Sequence, residues 1–222
     1  MLRAYFKNYQ NKITFKNSTC LLPISIGQLH SEGDALNATI LLINSKFKAC
    51  IIIIADSLYR HTLEIEQKCV PGSGYDTSIA NGLSWLDKHK QILDQLTIDY
   101  KIYHWDQLIN HDNYHEKKQI VDTLFLTDDS FRKAFEDSSN IFVRRLGKRI
   151  PKVDLCNARE LSLEFLKEEC AATVYLRTYQ DYDFIIYPNK NIPAFDVTLD
   201  YFYNENKPKW LHVVSKSMKI LK

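Results

Sequence analysis

Apolar and polar positions in this chain follow two periods. The apolar run Leu21–Ile24 stops at Ser25, passes Gly27 and reaches the polar cluster His30-Ser31-Glu32-Gly33-Asp34. Beyond it, Ala35, Leu36, Thr39, Ile40, Leu42 and Ile43 recur at helical spacing, which predicts a helix over residues 30–44. Lys48–Asp56 then reads as a strand, and its unbroken Ile51-Ile52-Ile53-Ile54 is what a strand buried on both faces of a parallel sheet requires. Strand, turn, helix and strand make one βαβ unit. Ligands of open α/β sheets sit at the carboxyl ends of the strands. Ser25 and Asp56-Ser57 occupy two such ends, so this stretch reads as a site.

The rest of the chain continues the pattern. Residues 1–18 are mixed polar and aromatic, an edge strand or an arm. Leu58–Gln67 reads as a helix, and Pro71-Gly72-Ser73-Gly74 as a loop able to act as a lid. Asp76 or Thr77 is placed to cap a helix through Ala80, Trp85, His89 and Leu93. Ile98–Trp105 reads as a third strand. Residues 111–149 are helical and charged, and Asp154 opens a further helix carrying Glu168 and Glu169. Thr173–Leu176 and Phe184–Tyr187 read as strands, before an aromatic, lysine-rich tail. With no repeat and only short linkers, residues 1–222 are expected to form one domain.

Composition narrows the class without naming a function. A chain of 222 residues with 45% hydrophobic and 25% charged residues is an ordinary globular protein. Its net charge of +2 is too small to imply a polyanionic partner, so any nucleic-acid contact must rest on a local patch. Five cysteines show no CxxC pair and no zinc spacing, which suits a reducing compartment. No signal peptide and no membrane-length span are read, so a cytoplasmic protein without membrane attachment is expected. GxGxxG and Walker A are absent, and Ser25 is not in a GxSxG elbow. His111 and His115 lack a third ligand, so neither a metal nor another cofactor is expected.

Three segments, in this order and spacing, resemble the tRNA-dependent cyclodipeptide synthases, and among them the subfamily marked by Tyr-Pro. They are Pro23-Ile24-Ser25-Ile26-Gly27-Gln28 with His30-Ser31-Glu32-Gly33, then Ile54-Ala55-Asp56-Ser57-Leu58-Tyr59-Arg60-His61, and last Glu164–Ala172 followed by Tyr182–Pro188. Trp85-Leu86 and His104-Trp105-Asp106 add further landmarks. The likeness covers residues 19–190. It implies a Rossmann-like α/β domain akin to class I tyrosyl- and tryptophanyl-tRNA synthetases. No HIGH or KMSKS element is present, so amino acids would be taken already charged.

The resemblance also implies roles. Ser25 matches the nucleophile, Glu169 the glutamate that holds the aminoacyl group, and Tyr187 the catalytic tyrosine. A ping-pong route would follow, through an aminoacyl-enzyme and a dipeptidyl-enzyme on Ser25 to a diketopiperazine, from two aminoacyl-tRNAs held by a monomer. Leu21, Pro23, Gly27, Gln28, Asp56, Phe165, Ala172, Ile185 and Pro188 would bind substrate. Phe165 departs from the family, which usually has a tyrosine there, so a hydroxyl for the ammonium is missing. Phosphates would meet Arg144, Arg145, Lys148 and Arg149, in a basic run ending at Lys152, or Lys88 and Lys90.

Each of these residues also has an ordinary reading. Ser25 can satisfy a backbone amide, Asp56 can cap a helix, Arg60 and His61 can be surface residues, and Tyr187 can close the core. Two other functions therefore stay open: a serine acyltransferase or hydrolase acting on a small ester, and a non-catalytic tRNA-binding module.

Overall fold

A computed structural model describes residues 2–7, 15–66, 68–69, 72–150 and 154–217, the side chains of Arg149 and Ser217 excepted. Six strands form the sheet: β1 (Leu2–Phe6), β2 (Phe15–Ile24), β3 (Phe47–Ile54), β4 (Asp99–His104), β5 (Phe184–Tyr187) and β6 (Lys209–Ser217). Their spatial order is β1-β6-β5-β2-β3-β4. All neighbours run parallel except β1, which is antiparallel to β6. The chain starts the parallel part at β2, steps outward to β3 and β4, then crosses back to β5 and β6. The switch point of this open sheet therefore lies between β2 and β5.

The helices are α1 (Gly33–Lys46), α2 (Tyr59–Ile65), α3 (Gly74–Leu93), α4 (Trp105–Ile109), α5 (Asp112–Thr127), α6 (Asp129–Arg149), α7 (Leu155–Tyr179) and α8 (Pro193–Tyr203). They cover both sheet faces, and the strands alternate between two cores. Cys20, Leu22, Ile24, Ile52 and Ile54 pack with Leu36, Ile40 and Trp85 of α1 and α3. Leu21, Ile51, Ile53 and Ile185 pack with Phe135, Leu166, Tyr175 and Phe195 of α6, α7 and α8. Because both faces are covered, the strands are apolar on both, as the isoleucine run requires.

Several elements differ from the sequence reading. Thr173–Leu176 is not a strand but lies inside the 25-residue α7. Its β-branched and aromatic side chains favour a strand locally, yet all four are buried by tertiary packing of the helix. Residues 111–149 form two helices, because the Asp128 side chain accepts the N–H groups of Ser130 and Phe131 and starts a new one. The first helix begins at Gly33, after a single 3-10 turn over Leu29–Ser31. Helix α3 starts at Gly74, ahead of Asp76 and Thr77. The N-terminal stretch supplies the edge strand β1, and the tail supplies β6. Of the proposed lid, Pro71 lies outside the described residues. Among the described residues no helix is long and apolar enough to cross a membrane, and no cluster of metal-binding side chains occurs.

One buried acid ties the end of β3 to the end of β4. Asp56 Oδ1 accepts the N–H groups of Ser57 and Asp106 at 2.8 and 3.1 Å. Its Oδ2 takes His104 Nδ1 at 2.7 Å, and this hydrogen bond raises the His104 pKa. Helix α3 passes so close that a Cβ at Gly82 would come within 2.5 Å of the Asp56 Cβ. Removing the acid strands two amides and an imidazole in a buried place. Asp56→Ala is expected to lower the unfolding free energy by about 3 kcal/mol, read by urea denaturation. A loss within about 0.5 kcal/mol would show that the network does not hold the two strand ends.

Candidate active site

The last residue of β2 is Ile24, and Ser25 follows it; Tyr187 is the last residue of β5. The two side chains thus leave strands on either side of the switch point, and Ser25 Oγ lies 2.8 Å from Tyr187 Oη. Both open into a cavity of about 430 Å³ on the α7 side of the sheet. Leu21, Pro23, Ile53 and Ile185 form its sheet wall, and Phe195 and Trp210 close one side. Helix α7 contributes Ser162, Phe165, Leu166, Glu169, Thr173 and Leu176, a stripe spaced by three and four residues.

The backbone around Ser25 is pinned from the 3-10 turn. The Ser25 N–H donates to Ser31 Oγ at 3.1 Å, and the Gln28 N–H to the Ser25 carbonyl at 3.2 Å. The Ser31 carbonyl in turn accepts the Trp85 indole N–H at 2.9 Å. Gly27 sits at φ +76°, a left-handed conformation natural to glycine, and a Cβ there would meet the Tyr59 hydroxyl at 3.2 Å. The N–H groups of Ile26 and Gly27 have no hydrogen-bond partner among the described residues.

Electrostatics separate the two acids of α7. Glu168 takes Arg60 at 2.5 and 2.7 Å and His61 Nε2 at 3.3 Å, and these partners hold its pKa below the usual range. Arg60 and His61 are thus the anchors of α7, His61 being buried. Lys167 goes instead to Glu164, and Arg177 to Asp181. The Glu169 carboxyl carries no hydrogen bond or ion pair among the described residues and faces the cavity, and burial pushes its pKa up to about 8. Burial likewise raises Tyr187 to about 12, against a smaller lowering from the Ser25 hydrogen bond. The phenol is therefore protonated at neutral pH.

Of the residues singled out in the sequence, Ser25, Glu169, Tyr187, Leu21, Pro23, Gln28, Phe165, Ile185 and Arg145 line this cavity. Asp56 does not; its oxygens are consumed by the strand-end network. Ala172 does not either. It lies about 60° round the helix from Glu169, in the core, whereas Thr173 lies about 40° the other way and faces the cavity. Gly27 shapes the turn, and Pro188 faces a different cavity across the sheet. Lys88 is paired with Glu32 at 2.6 Å, and Lys90 is exposed on the same α3. Arg144 and Lys148 are exposed on α6; the Arg149 side chain and Lys152 lie outside the described residues. Sequence reading missed Ser162, Thr173 and Trp210. The first two continue the Phe165–Glu169 stripe, a signal that a strand over Thr173–Leu176 hides.

No family model and no curated protein matches the sequence. Solved structures do. The chain is similar to a cyclodipeptide synthase from Candidatus Glomeribacter gigasporarum bound to Phe-tRNAPhe, with TM-score 0.73 and 19% identity over 94% of this chain and 92% of that one. A Mycobacterium tuberculosis protein, whose structure relates cyclodipeptide synthetases to type I tRNA synthetases, shares the fold at TM-score 0.66 and 11% identity, over 90% and 86%. The likeness to a cyclodipeptide synthase from Fluoribacter dumoffii goes beyond fold: TM-score 0.89 and 31% identity, covering 97% of this chain and 98% of that one. At that identity over nearly the whole of both chains, and with the serine, glutamate and tyrosine of the motifs around one cavity, the chain belongs to the cyclodipeptide synthase family.

Proposed function

We propose that this protein is a tRNA-dependent cyclodipeptide synthase of the Tyr-Pro subfamily, which joins the aminoacyl groups of two charged tRNAs through esters on Ser25. In this reading residues 1–222 work as one Rossmann-like domain, as a monomer in the cytoplasm. The observation that carries it is the 2.8 Å contact of Ser25 Oγ with the Tyr187 hydroxyl, beside a cavity faced by the Glu169 carboxyl, which has no partner among the described residues. The Fluoribacter relative supports the activity, and the Glomeribacter complex supports the tRNA partner.

An aminoacyl ester is already an activated acyl donor, so Ser25 needs position more than a strong base. Its Oγ attacks the ester carbonyl carbon and the bond to the ribose oxygen breaks. The Oγ proton passes to the Tyr187 oxygen while the phenol gives its own proton to the leaving ribose oxygen. A phenol near pKa 12 suits such a relay and not a free phenolate base. The unpartnered Ile26 and Gly27 amides are the nearest candidates for oxyanion donors, since those of Ser25 and Gln28 are taken.

Glu169 receives the α-ammonium in a charge-assisted hydrogen bond. Burial raises its pKa, which favours uptake of the ammonium proton by the carboxylate and frees the amine to attack. Retention on Ser25 dictates which amine moves first. The amine of the Ser25-bound residue attacks the second ester, releasing the second tRNA and leaving a dipeptidyl-enzyme. The new terminal amine then attacks the Ser25 ester, closes the six-membered ring and returns a proton to Ser25 Oγ. Phe165 offers no hydroxyl to share the ammonium, which concentrates that task on Glu169. Arg145 on the cavity wall, with Arg144 and Lys148 on the same helix, supplies charge for the acceptor-stem phosphates.

Expression in bacteria is expected to release a cyclic dipeptide into the medium, seen by mass spectrometry, and Ser25→Ala to abolish both product and covalent adduct with labelled aminoacyl-tRNA. An undiminished adduct would eliminate Ser25 as nucleophile; an adduct without cyclic product would favour the hydrolase. Glu169 gives a stability test. Its folded pKa, about 8, exceeds its ordinary 4.5, so its contribution is fully present below about pH 4.5 and is lost as pH rises through 8. Unfolding free energy of the native chain is expected to fall by up to about 1.4 kcal/mol per pH unit across that window relative to Glu169→Gln. Parallel curves would mean that the carboxyl is solvated.

A further inference from the structure

Strands β2 and β5 pair with each other only at Cys20–Phe184 and Leu21–Ile185. Two residues further along, at the level of Tyr187, β2 has Pro23, which possesses no N–H to donate. The ladder stops there, yet Ser25 and Tyr187 stand beyond its end at 2.8 Å. β2 stays paired with β3 to Ile24 and β5 with β6 to Tyr187, but no β2–β5 pairing fixes that separation directly. It must be set by side chains and turns at the switch point.

The residues that do so come from one turn. Ser31 holds Ser25 by accepting its N–H, and its own carbonyl is held by Trp85. The neighbouring His30 meets Tyr187, the two rings lying 5.3 Å apart at 76°. On another side Tyr187 meets Trp210 at 5.9 Å and 65°, an indole whose N–H is bound to the Asn189 carbonyl. The phenol ring thus has an aromatic neighbour from the tail and another from the turn that pins its partner serine. His30 also lines the second cavity, across the sheet, together with Thr39, Pro188 and His212. Its buried Nε2 has no hydrogen-bond partner among the described residues, so the ring contributes shape and not a polar bond. Burial holds the imidazole neutral, with a pKa of about 4.

We propose that His30 is a positioning residue. Its ring braces the Tyr187 phenol against Ser25, while the adjacent Ser31 fixes the serine backbone, so the Leu29–Ser31 turn sets the geometry of both groups where the sheet ceases to do so. This deepens the function proposed above and rests on it, in that Tyr187 is taken to relay the Ser25 proton. An edge-to-face contact restricts ring rotation, and a displacement of about 1 Å at a reacting pair is enough to cost a large factor in rate.

The test is a double-mutant cycle on single-turnover formation of the aminoacyl-enzyme from labelled aminoacyl-tRNA, with His30→Ala, Tyr187→Phe and the double variant. His30→Ala is expected to slow the first-order rate about tenfold while the half-saturating tRNA concentration stays within about twofold. In the Tyr187→Phe background the same change is expected to cost nothing further, because its effect passes through the phenol. His30→Phe, which restores a ring, is expected to recover the rate to within about threefold, and His30→Leu, of similar bulk, not to. A His30→Ala effect that multiplies with Tyr187→Phe, or that appears in the half-saturating concentration, overturns the brace, as does full activity of His30→Leu. Should His30→Ala not fold by circular dichroism, His30→Leu carries the cycle. If Tyr187→Phe alone keeps the native rate, the relay itself falls and the brace with it, an outcome distinct from additivity.

Discussion

The site depends on a ladder that ends. A parallel sheet holds its strands at a fixed spacing only as long as each residue has an amide to give, and at Pro23 that condition fails on the strand beside β5. The two strands part where the order of the sheet reverses, and a crevice opens whose walls are side chains. The groups proposed to act stand at that gap: a serine from one lip, a phenol from the other, and the face of α7 across it. The rigid part of the sheet supplies aim, and its irregular end supplies room.

Helix α7 works as a divider of charge. Two adjacent acids on it live in opposite conditions because a helix turns about 100° per residue. Glu168 is paired with Arg60 and touches the His61 ring nitrogen, which ties α7 to α2. Glu169, one step on, has no partner among the described residues and looks into an apolar hollow. A half-buried carboxyl facing apolar walls is a standing cost to the fold, and the molecule bears it at a place where a bound cationic group would relieve it. The neighbouring anchor keeps the helix from rotating that acid back toward water.

Much of this was legible in the residue order. The βαβ start, the doubly buried isoleucine strand and the Asp154 cap follow from local rules of period and capping. Ser25 stood out by its place at a strand end, whereas Glu169 and Tyr187 stood out only by resemblance, since nothing local distinguishes them from a surface glutamate or a core tyrosine. What sequence could not give was set by distant contacts. Thr173, Val174 and Tyr175 carry strand-like side chains, and only burial of the helix on several sides makes them helical. Asp56 has the address of a ligand-binding acid, at a strand end. Whether it faces a cavity or knits His104 and Asp106 depends on a strand some fifty residues later. Trp210 comes from a tail whose pattern gave no hint that it would reach the cavity.

The pairing of β1 with β6 has a consequence for how the chain acquires its shape. Leu2 meets Ser217, so β1 finds its hydrogen-bonding neighbour β6 only when the strands between them in the sequence have been made. On the ribosome β1 waits until β6 emerges, and β6, which brings Trp210 to the chamber, slots in between it and β5. Such long-range closure is slow by the entropy of the loop it spans. A chain from which β6 has not yet emerged thus lacks Trp210 and with it one wall of the vessel.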